Sequence, residues 1–153
     1  MTGQSAPPFQ IQAAQAEHHE DIKQLVRGSG INPTGLDWTR FLVAINRQGQ
    51  LIGCGQVKPH ADGSLELASL AVRPEWRRRG VATALIETLL VAHPGTLYLM
   101  CQSSLGPLYQ RFGFESIGAD AMPKYFRRIS KLAGVLESVR AQGESLLIMR
   151  RSG

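Results

Sequence analysis

The spacing of the apolar residues changes from strand-like to helical after residue 72, and that change limits the folds open to this chain. Three β-rich runs separated by turn residues come first, at 38–46, 51–58 and 65–72. From Gly80 to Ala92 the apolar residues recur at helical spacing, and a strand-like run, 96–101, follows. A strand, a helix and a strand in succession predict a parallel pair with a crossover helix. The three earlier runs predict an antiparallel meander.

The rest of the chain adds short elements around this pattern. Its length of 153 residues is typical of one domain. We predict further strands at 9–13, 114–117 and 146–150, helices at 17–27 and 107–111, and a basic amphipathic helix at 122–142. We therefore expect one α/β (α+β) domain over residues 9–153, with a mixed central sheet flanked by helices. Residues 1–8, which contain Pro7 and Pro8, are expected to form a flexible leader.

Composition excludes several classes of protein. The longest apolar runs have five residues, whereas a membrane-spanning helix needs about 20. Cys54 and Cys101 are too few for a disulfide scaffold and have no metal-ligand neighbours in sequence, so no metal site is expected. Residues 1–8 carry neither a basic nor an apolar signal region. These features predict a cytoplasmic protein without a membrane partner.

The positive charge is concentrated in two places. The formal net charge is +5, which by itself suits a nucleic acid, an anionic membrane or a small anionic ligand. One basic cluster comprises Arg73, Arg77, Arg78 and Arg79, and the other comprises Lys124, Arg127, Arg128 and Lys131. Two local positive sites are therefore expected, and a nucleic-acid partner is not favoured.

The turn Arg77–Ala82 joins a strand to the start of a helix. Helix starts expose unpaired N–H groups and a partial positive charge, and the sequence offers no evident Ser, Thr, Asp or Asn cap here. Gly80 permits close backbone approach, so the turn has the chemistry of a phosphate or pyrophosphate site. It matches neither a Walker A loop nor a dinucleotide-binding turn. A solvated basic turn is the alternative.

Two segments resemble the signatures of one family. Arg77-x-x-Gly80-x-Ala82, which follows Ala71-Val72-Arg73-Pro74, resembles the acetyl-CoA pyrophosphate motif of the GNAT superfamily of N-acetyltransferases. Leu108-Tyr109-Gln110-Arg111-Phe112-Gly113-Phe114 resembles the second signature of that family. The resemblance covers about residues 9–118 and the last strand. It implies a GNAT-like sheet, an antiparallel meander followed by a parallel pair that is splayed at the acetyl-CoA site.

The resemblance also implies how acetyl-CoA would bind. In the family, the pyrophosphate lies on backbone N–H groups of the turn, and the pantetheine arm pairs with the strand edge before it. The implied cofactor-binding residues are Leu70, Ala71, Val72, Arg77, Arg78, Arg79, Gly80, Val81, Ala82, Thr83 and Ser103. Ser103 stands where many relatives have Asn, and Gly106 where many have Ala. These contacts use main chain more than side chains, so single arginine substitutions should weaken binding without abolishing it.

The implied catalytic residues are Glu66 and Tyr109. Glu66 lies eleven residues before Arg77, at the spacing of the catalytic glutamate in some members, and a carboxylate on an apolar strand face would have a raised pKa. A solvated glutamate is its alternative. Tyr109 stands where the general-acid tyrosine stands in the family, and a packing aromatic is its alternative. Cys101 is expected to be an inert buried thiol, and we assign no chemistry to the four histidines.

These residues predict an N-acetyltransferase. Acetyl would pass directly from acetyl-CoA, the cosubstrate, to a primary amine of an amino acid, peptide or protein within a ternary complex. A non-catalytic acetyl-CoA-binding sensor and a basic RNA- or ribosome-associated protein are the competing interpretations. The 122–142 helix could line the acceptor side, present a solvated face, or make a homodimer contact through Tyr125 and Phe126.

Overall fold

A computed structural model describes residues 7–137 and 145–153; for residues 134–137 it describes the backbone only. Residues 1–6 of the predicted leader and 138–142 of the predicted basic helix lie outside this description. The strands are β1 Phe9–Ala13, β2 Phe41–Asn46, β3 Leu51–Pro59, β4 Leu65–Val72, β5 Leu97–Gln102, β6 Glu115–Ser116 and β7 Leu146–Arg151. The helices are α1 His19–Gly28, α2 Val81–Ala92, α3 Gly106–Gln110 and α4 Lys124–Glu137. Short 3-10 helices occupy Ala16–His18, Trp38–Arg40, Pro74–Trp76, Ser103–Leu105 and Ala119–Ala121.

The strands form a mixed sheet in the order β1-β2-β3-β4-β5-β7-β6. The predicted meander and the predicted parallel pair are both confirmed, because β2 pairs antiparallel with β3 and β4 pairs parallel with β5. The chain divides into two compact units, Met1–Val57 with Ser69–Ala92, and Lys58–Ala68 with His93–Gly153. Strands β3 and β4 each contribute residues to both units.

In the first unit, two helices bury apolar side chains. Ile22 and Val26 of α1 are one turn apart and fully buried in a cluster with Phe41 and Val43 of β2. A second cluster joins Ala44 and Ile52 to Val81 and Leu85 of α2. The apolar side chains that recur at helical or strand spacing in the sequence are thus the side chains that the structure buries.

Trp38–Arg40 is not a strand, contrary to the sequence prediction. Asp37 accepts hydrogen bonds from both the backbone N–H and the hydroxyl of Thr39, at 3.0 and 2.6 Å. This side-chain cap stabilises a 3-10 turn, and β2 begins only at Phe41. Trp38 packs partly buried against the cluster around Phe41 and Val43.

The second unit is organised around β7. Strand β5 pairs antiparallel with β7 from Leu97↔Arg151 to Gln102↔Leu146, and β6 pairs with the other edge of β7. The core of this unit contains Met122, Phe126 and Ile148. Phe126 is fully buried, so it is not available for the homodimer contact considered from the sequence. None of the helices in the part of the chain that the structure describes has the length and apolarity needed to cross a membrane.

A glycine substitution tests the packing of α2 on β3. A Cβ added at Gly53 would lie 2.8 Å from Val81 Cγ1 and 3.2 Å from Leu85 Cδ1, so both must shift. We expect Gly53→Val to lower the free energy of unfolding by about 1–3 kcal/mol, measured by denaturant titration. The matched control is Gly28→Ala, where an added Cβ meets nothing within 4 Å. Equal losses at both positions would contradict this account of the packing.

Candidate active site

The Arg77–Ala82 turn carries its charge at the surface. Arg77, Arg78, Arg79 and Gly80 are all exposed. Arg77 Nε donates to the carbonyl of Val72 at 3.3 Å, and the guanidinium of Arg79 lies 5.0 Å from the centroid of the Trp76 ring. Arg73, counted in the same cluster, instead donates to the Leu51 carbonyl of β3 at 2.7 Å. Arg73 therefore connects the end of β4 to the start of β3. The charge pattern of the sequence did not reveal this role.

The backbone of this turn is suited to an anionic ligand. Gly80 has φ +84°, and an added Cβ would meet nothing within 4 Å, so the space beside it is open. Its carbonyl accepts the first bond of α2, from Ala84 N at 3.0 Å. Helix geometry leaves the next three N–H groups, of Val81, Ala82 and Thr83, without intrahelical partners, and Gly80 has no side chain to cap them. Exposed positive charge and open space therefore lie together at the start of α2.

Strand β4 changes its backbone conformation just before the predicted pantetheine edge. Ser69 has φ +57°, a left-handed conformation that costs a non-glycine residue free energy. The period-two alternation of a regular strand would place Glu66 on one face with Leu70 and Val72, and it cannot be extended across Ser69. Such irregularities re-aim the residues that follow them, here Leu70, Ala71 and Val72.

The left-handed conformation at Ser69 is held by a fully buried glutamine that sequence reasoning missed. Gln56 Nε2 donates to Ser69 Oγ at 2.9 Å and to the Gly35 carbonyl at 3.1 Å. The Ser69 carbonyl accepts from Cys54 Sγ at 3.5 Å. Gln56 Oε1 is buried and has no hydrogen-bond partner among the described residues. A polar residue within the otherwise apolar and glycine-containing run 51–57 was the available sequence signal.

Glu66 lies in the second unit and is buried, so the solvated alternative is excluded. It is 5% exposed, and its Oε1 lies 2.7 Å from His60 Nε2. Burial raises the pKa of Glu66, while the His60 hydrogen bond, the His60 charge and Lys58 act in the opposite direction. His60 was assigned no chemistry from the sequence. In the structure, His60 is the hydrogen-bond partner of Glu66, the carboxylate that the sequence analysis identified as a candidate catalytic residue.

Tyr109 lies on α3 and keeps its proton at neutral pH. Burial, followed by the nearby Cys101 group, raises the pKa of Tyr109 to about 12. Its ring makes an edge contact with Phe114 at 6.2 Å. Buried Cys101 has a raised pKa from desolvation, and its Sγ lies 3.8 Å from Met149 Sδ, as expected of an unreactive thiol.

Ser103 exchanges backbone and side-chain bonds with the start of β7. Its N–H donates to the Ser145 carbonyl at 2.8 Å, and its hydroxyl accepts from Ser145 N at 3.2 Å. At Gly106, an added Cβ would meet Leu147 Cδ1 at 3.0 Å, so glycine permits close packing of α3 on β7. Among the residues that the structure describes, no three His, Cys, Asp or Glu side chains are grouped as metal ligands.

Asp62 joins the β3–β4 turn to the start of α4. Its Oδ1 accepts from Ser64 N and Ser64 Oγ at 2.9 and 2.6 Å, and its Oδ2 accepts from Tyr125 N at 2.9 Å. These hydrogen bonds lower the pKa of Asp62 to about 2. Asp62 therefore acts as a helix cap supplied by a distant part of the sequence.

Removing this cap should loosen the start of α4. We expect Asp62→Ala to lower the free energy of unfolding by about 1 kcal/mol at neutral pH and to speed hydrogen exchange at the Tyr125 amide. The folded-state pKa lies below the ordinary aspartate value of 3.8, so this contribution is complete above that value and is lost as the pH falls towards 2. Exposed Asp120→Ala is the control. Unchanged Tyr125 exchange in Asp62→Ala would contradict the assignment.

The sequence matches the acetyltransferase (GNAT) domain family over residues 37–116, just over half of the chain. Mycothiol acetyltransferase of Mycolicibacterium vanbaalenii is 43% identical over 63 residues, which is 40% of this chain and 21% of that protein. The chain thus spans about a fifth of the length of this relative.

Solved structures share the fold. N-acetylglutamate synthase of Neisseria gonorrhoeae, complexed with coenzyme A and N-acetyl-glutamate, has a TM-score of 0.72 at 20% identity over 97% of this chain and 36% of its own. Rv2747 of Mycobacterium tuberculosis, in complex with CoA, has a TM-score of 0.71 at 20% identity over 94% of this chain and 99% of its own. The matched domain, together with the turn and strands described above, shows that this chain belongs to the GNAT acetyltransferase family.

Proposed function

We propose that this protein is an acetyl-CoA-dependent N-acetyltransferase that transfers acetyl directly to a primary amine of an amino acid, peptide or protein. The observation that carries the proposal is the Arg77–Ala82 turn, with exposed arginines, a positive φ at Gly80 and free N–H groups at the start of α2. The pyrophosphate of acetyl-CoA suits this turn. Two structures with this fold were solved with CoA.

The remaining cofactor contacts come from the family resemblance and from β4. The pantetheine arm would pair with the backbone of Leu70, Ala71 and Val72, which Ser69 re-aims. A backbone N–H in this segment would stabilise the tetrahedral oxyanion. Thr83 would add a hydroxyl to the pyrophosphate. The Ser103 hydroxyl accepts from Ser145 N, and its O–H would remain to donate to the pantetheine.

The transfer is assigned to Glu66 and Tyr109. The amine nitrogen attacks the thioester carbonyl, the new C–N bond forms, and the nitrogen loses a proton to the Glu66 carboxylate. The tetrahedral intermediate collapses with cleavage of the C–S bond, and the CoA sulfur takes a proton from the Tyr109 phenol. Buried Cys101 takes no part, so acetyl passes directly from CoA to the amine within a ternary complex, without an acyl-enzyme.

Binding and chemistry can be tested on the same samples. We expect calorimetric titration to show binding of acetyl-CoA and of desulfo-CoA, and thiol release from acetyl-CoA with one class in a panel of amines. Gly80→Ala should weaken binding about tenfold, because alanine disfavours positive φ by about 1–2 kcal/mol. The matched control is Gly49→Ala in the β2–β3 turn, where φ is +79° and an added Cβ also meets nothing within 4 Å. Absence of binding would overturn the proposal, and binding without thiol release would favour the non-catalytic sensor.

The tyrosine assignment is tested by removing one hydroxyl. We expect Tyr109→Phe to lower kcat by about a hundredfold or more, since proton transfer in the transition state contributes that much. Binding of desulfo-CoA should not change, because the ring and its contact with Phe114 remain. Tyr98→Phe is the matched control. A Tyr109→Phe enzyme with wild-type kcat would show that Tyr109 is only a packing residue.

A further inference from the structure

The Glu66 carboxylate has a specific partner in His60. The two side chains are 6% and 7% exposed, and 2.7 Å separates Glu66 Oε1 from His60 Nε2. When Glu66 is ionised it can only accept, and the Nε2 atom of His60 then carries the hydrogen of this bond. Without such a donor, a carboxylate at this depth would favour its protonated form, because burial penalises the charge.

His60 is itself held in place from several directions. Its ring stacks on Tyr125, with 3.6 Å between centroids and 16° between planes, and meets Phe126 edge-on at 5.6 Å. Its backbone N–H donates to the Ser64 carbonyl, and its carbonyl accepts from Gly63 N. The imidazole therefore has a defined orientation towards Glu66. Packing alone would not require a hydrogen bond between the Nε2 atom and a carboxylate.

The charged and titratable groups that interact with this pair are Lys58, Asp62 and Tyr125, from the β3–β4 hairpin and α4. Tyr98 of β5, the strand partner of Glu66, packs on the Phe126 ring beside His60. Lys58 and His60 favour the ionised form of Glu66, and burial opposes it. Asp62 interacts with His60, and Tyr125 faces Glu66 as a phenol whose pKa is raised. The Tyr125 phenol is therefore neutral in acid and does not contribute to the ionisation of Glu66 there.

We propose that His60 is a positioning residue for the base, orienting the Glu66 carboxylate and keeping it ionised so that it can take the proton of the acceptor amine. This inference rests on the proposed role of Glu66 in acetyl transfer. The stacked Tyr125 ring makes the start of α4 part of the same arrangement. His60 need not touch either substrate to act in this way.

The direct test is the titration of Glu66 in the free protein. Its carboxyl carbon would be followed by NMR in ¹³C-glutamate-labelled wild type, His60→Phe and His60→Gln. Phenylalanine keeps a ring against Tyr125 but removes the donor, whereas glutamine keeps an N–H donor. We expect the Glu66 midpoint to rise by about one pH unit in His60→Phe and by less in His60→Gln. If His60→Phe does not fold, His60→Asn, which is too short to reach Oε1, replaces it.

The same variants should show a matching change in activity. Thiol release from acetyl-CoA is measured with the amine panel across the same pH range, as the ratio of variant to wild-type kcat/KM, in which ionisation of the amine cancels. We expect the ratio for His60→Phe to fall about tenfold in acid and to approach one at alkaline pH, because Glu66 must be ionised to act as base. The control His93→Phe, just after α2, should give a ratio near one throughout.

The outcomes separate this inference from the proposed function. An unchanged Glu66 midpoint in an active His60→Phe enzyme overturns the role of His60 alone. A raised midpoint without a matching change in the activity ratio also overturns it, since the bond would then be structural. Absence of thiol release by the wild type would overturn the proposed function, and this inference with it.

Discussion

A carboxylate among apolar side chains must have a hydrogen-bond donor, and this need organises much of the second unit. His60 supplies the donor to Glu66, and it can do so only because the turn between β3 and β4 brings the two together. Asp62 shapes that turn and also caps α4, which brings Tyr125 onto the His60 ring. The buried Glu66 carboxyl group, the turn and the start of α4 thus depend on one another.

The first unit depends instead on backbone conformations that ordinary residues avoid. Ser69 adopts a positive φ within β4, and buried Gln56 holds it there through its hydroxyl. Arg78 and Gly80 have positive φ values in the turn before α2. Strained positions of this kind persist when the surroundings over-determine them, and they concentrate where ligands bind. In both places the proposed acetyl-CoA contacts come from the backbone.

Sequence patterns predicted the elements well where local geometry decides the structure. The helical period from Gly80 to Ala92 and the alternation in β4 placed these elements to within a residue. The prediction was wrong at Trp38, because the Asp37 cap favours a 3-10 turn over an extended strand. His60 was missed in the sequence, because the sequence of a turn does not specify which side chain across the hairpin a turn residue will contact.

The sequence by itself determined the mixed sheet, the turn before α2 and the place of Glu66 on β4, because periodicity and short motifs act over a few neighbouring residues. Only the tertiary structure decided that Glu66 is buried against His60, that Phe126 belongs to the core and not to a free surface, and that Gln56 braces Ser69. Each of these depends on a hydrogen bond or a contact between side chains brought together by strand pairing and turn geometry. Burial then makes those partners obligatory, since an unpaired polar group away from water is costly.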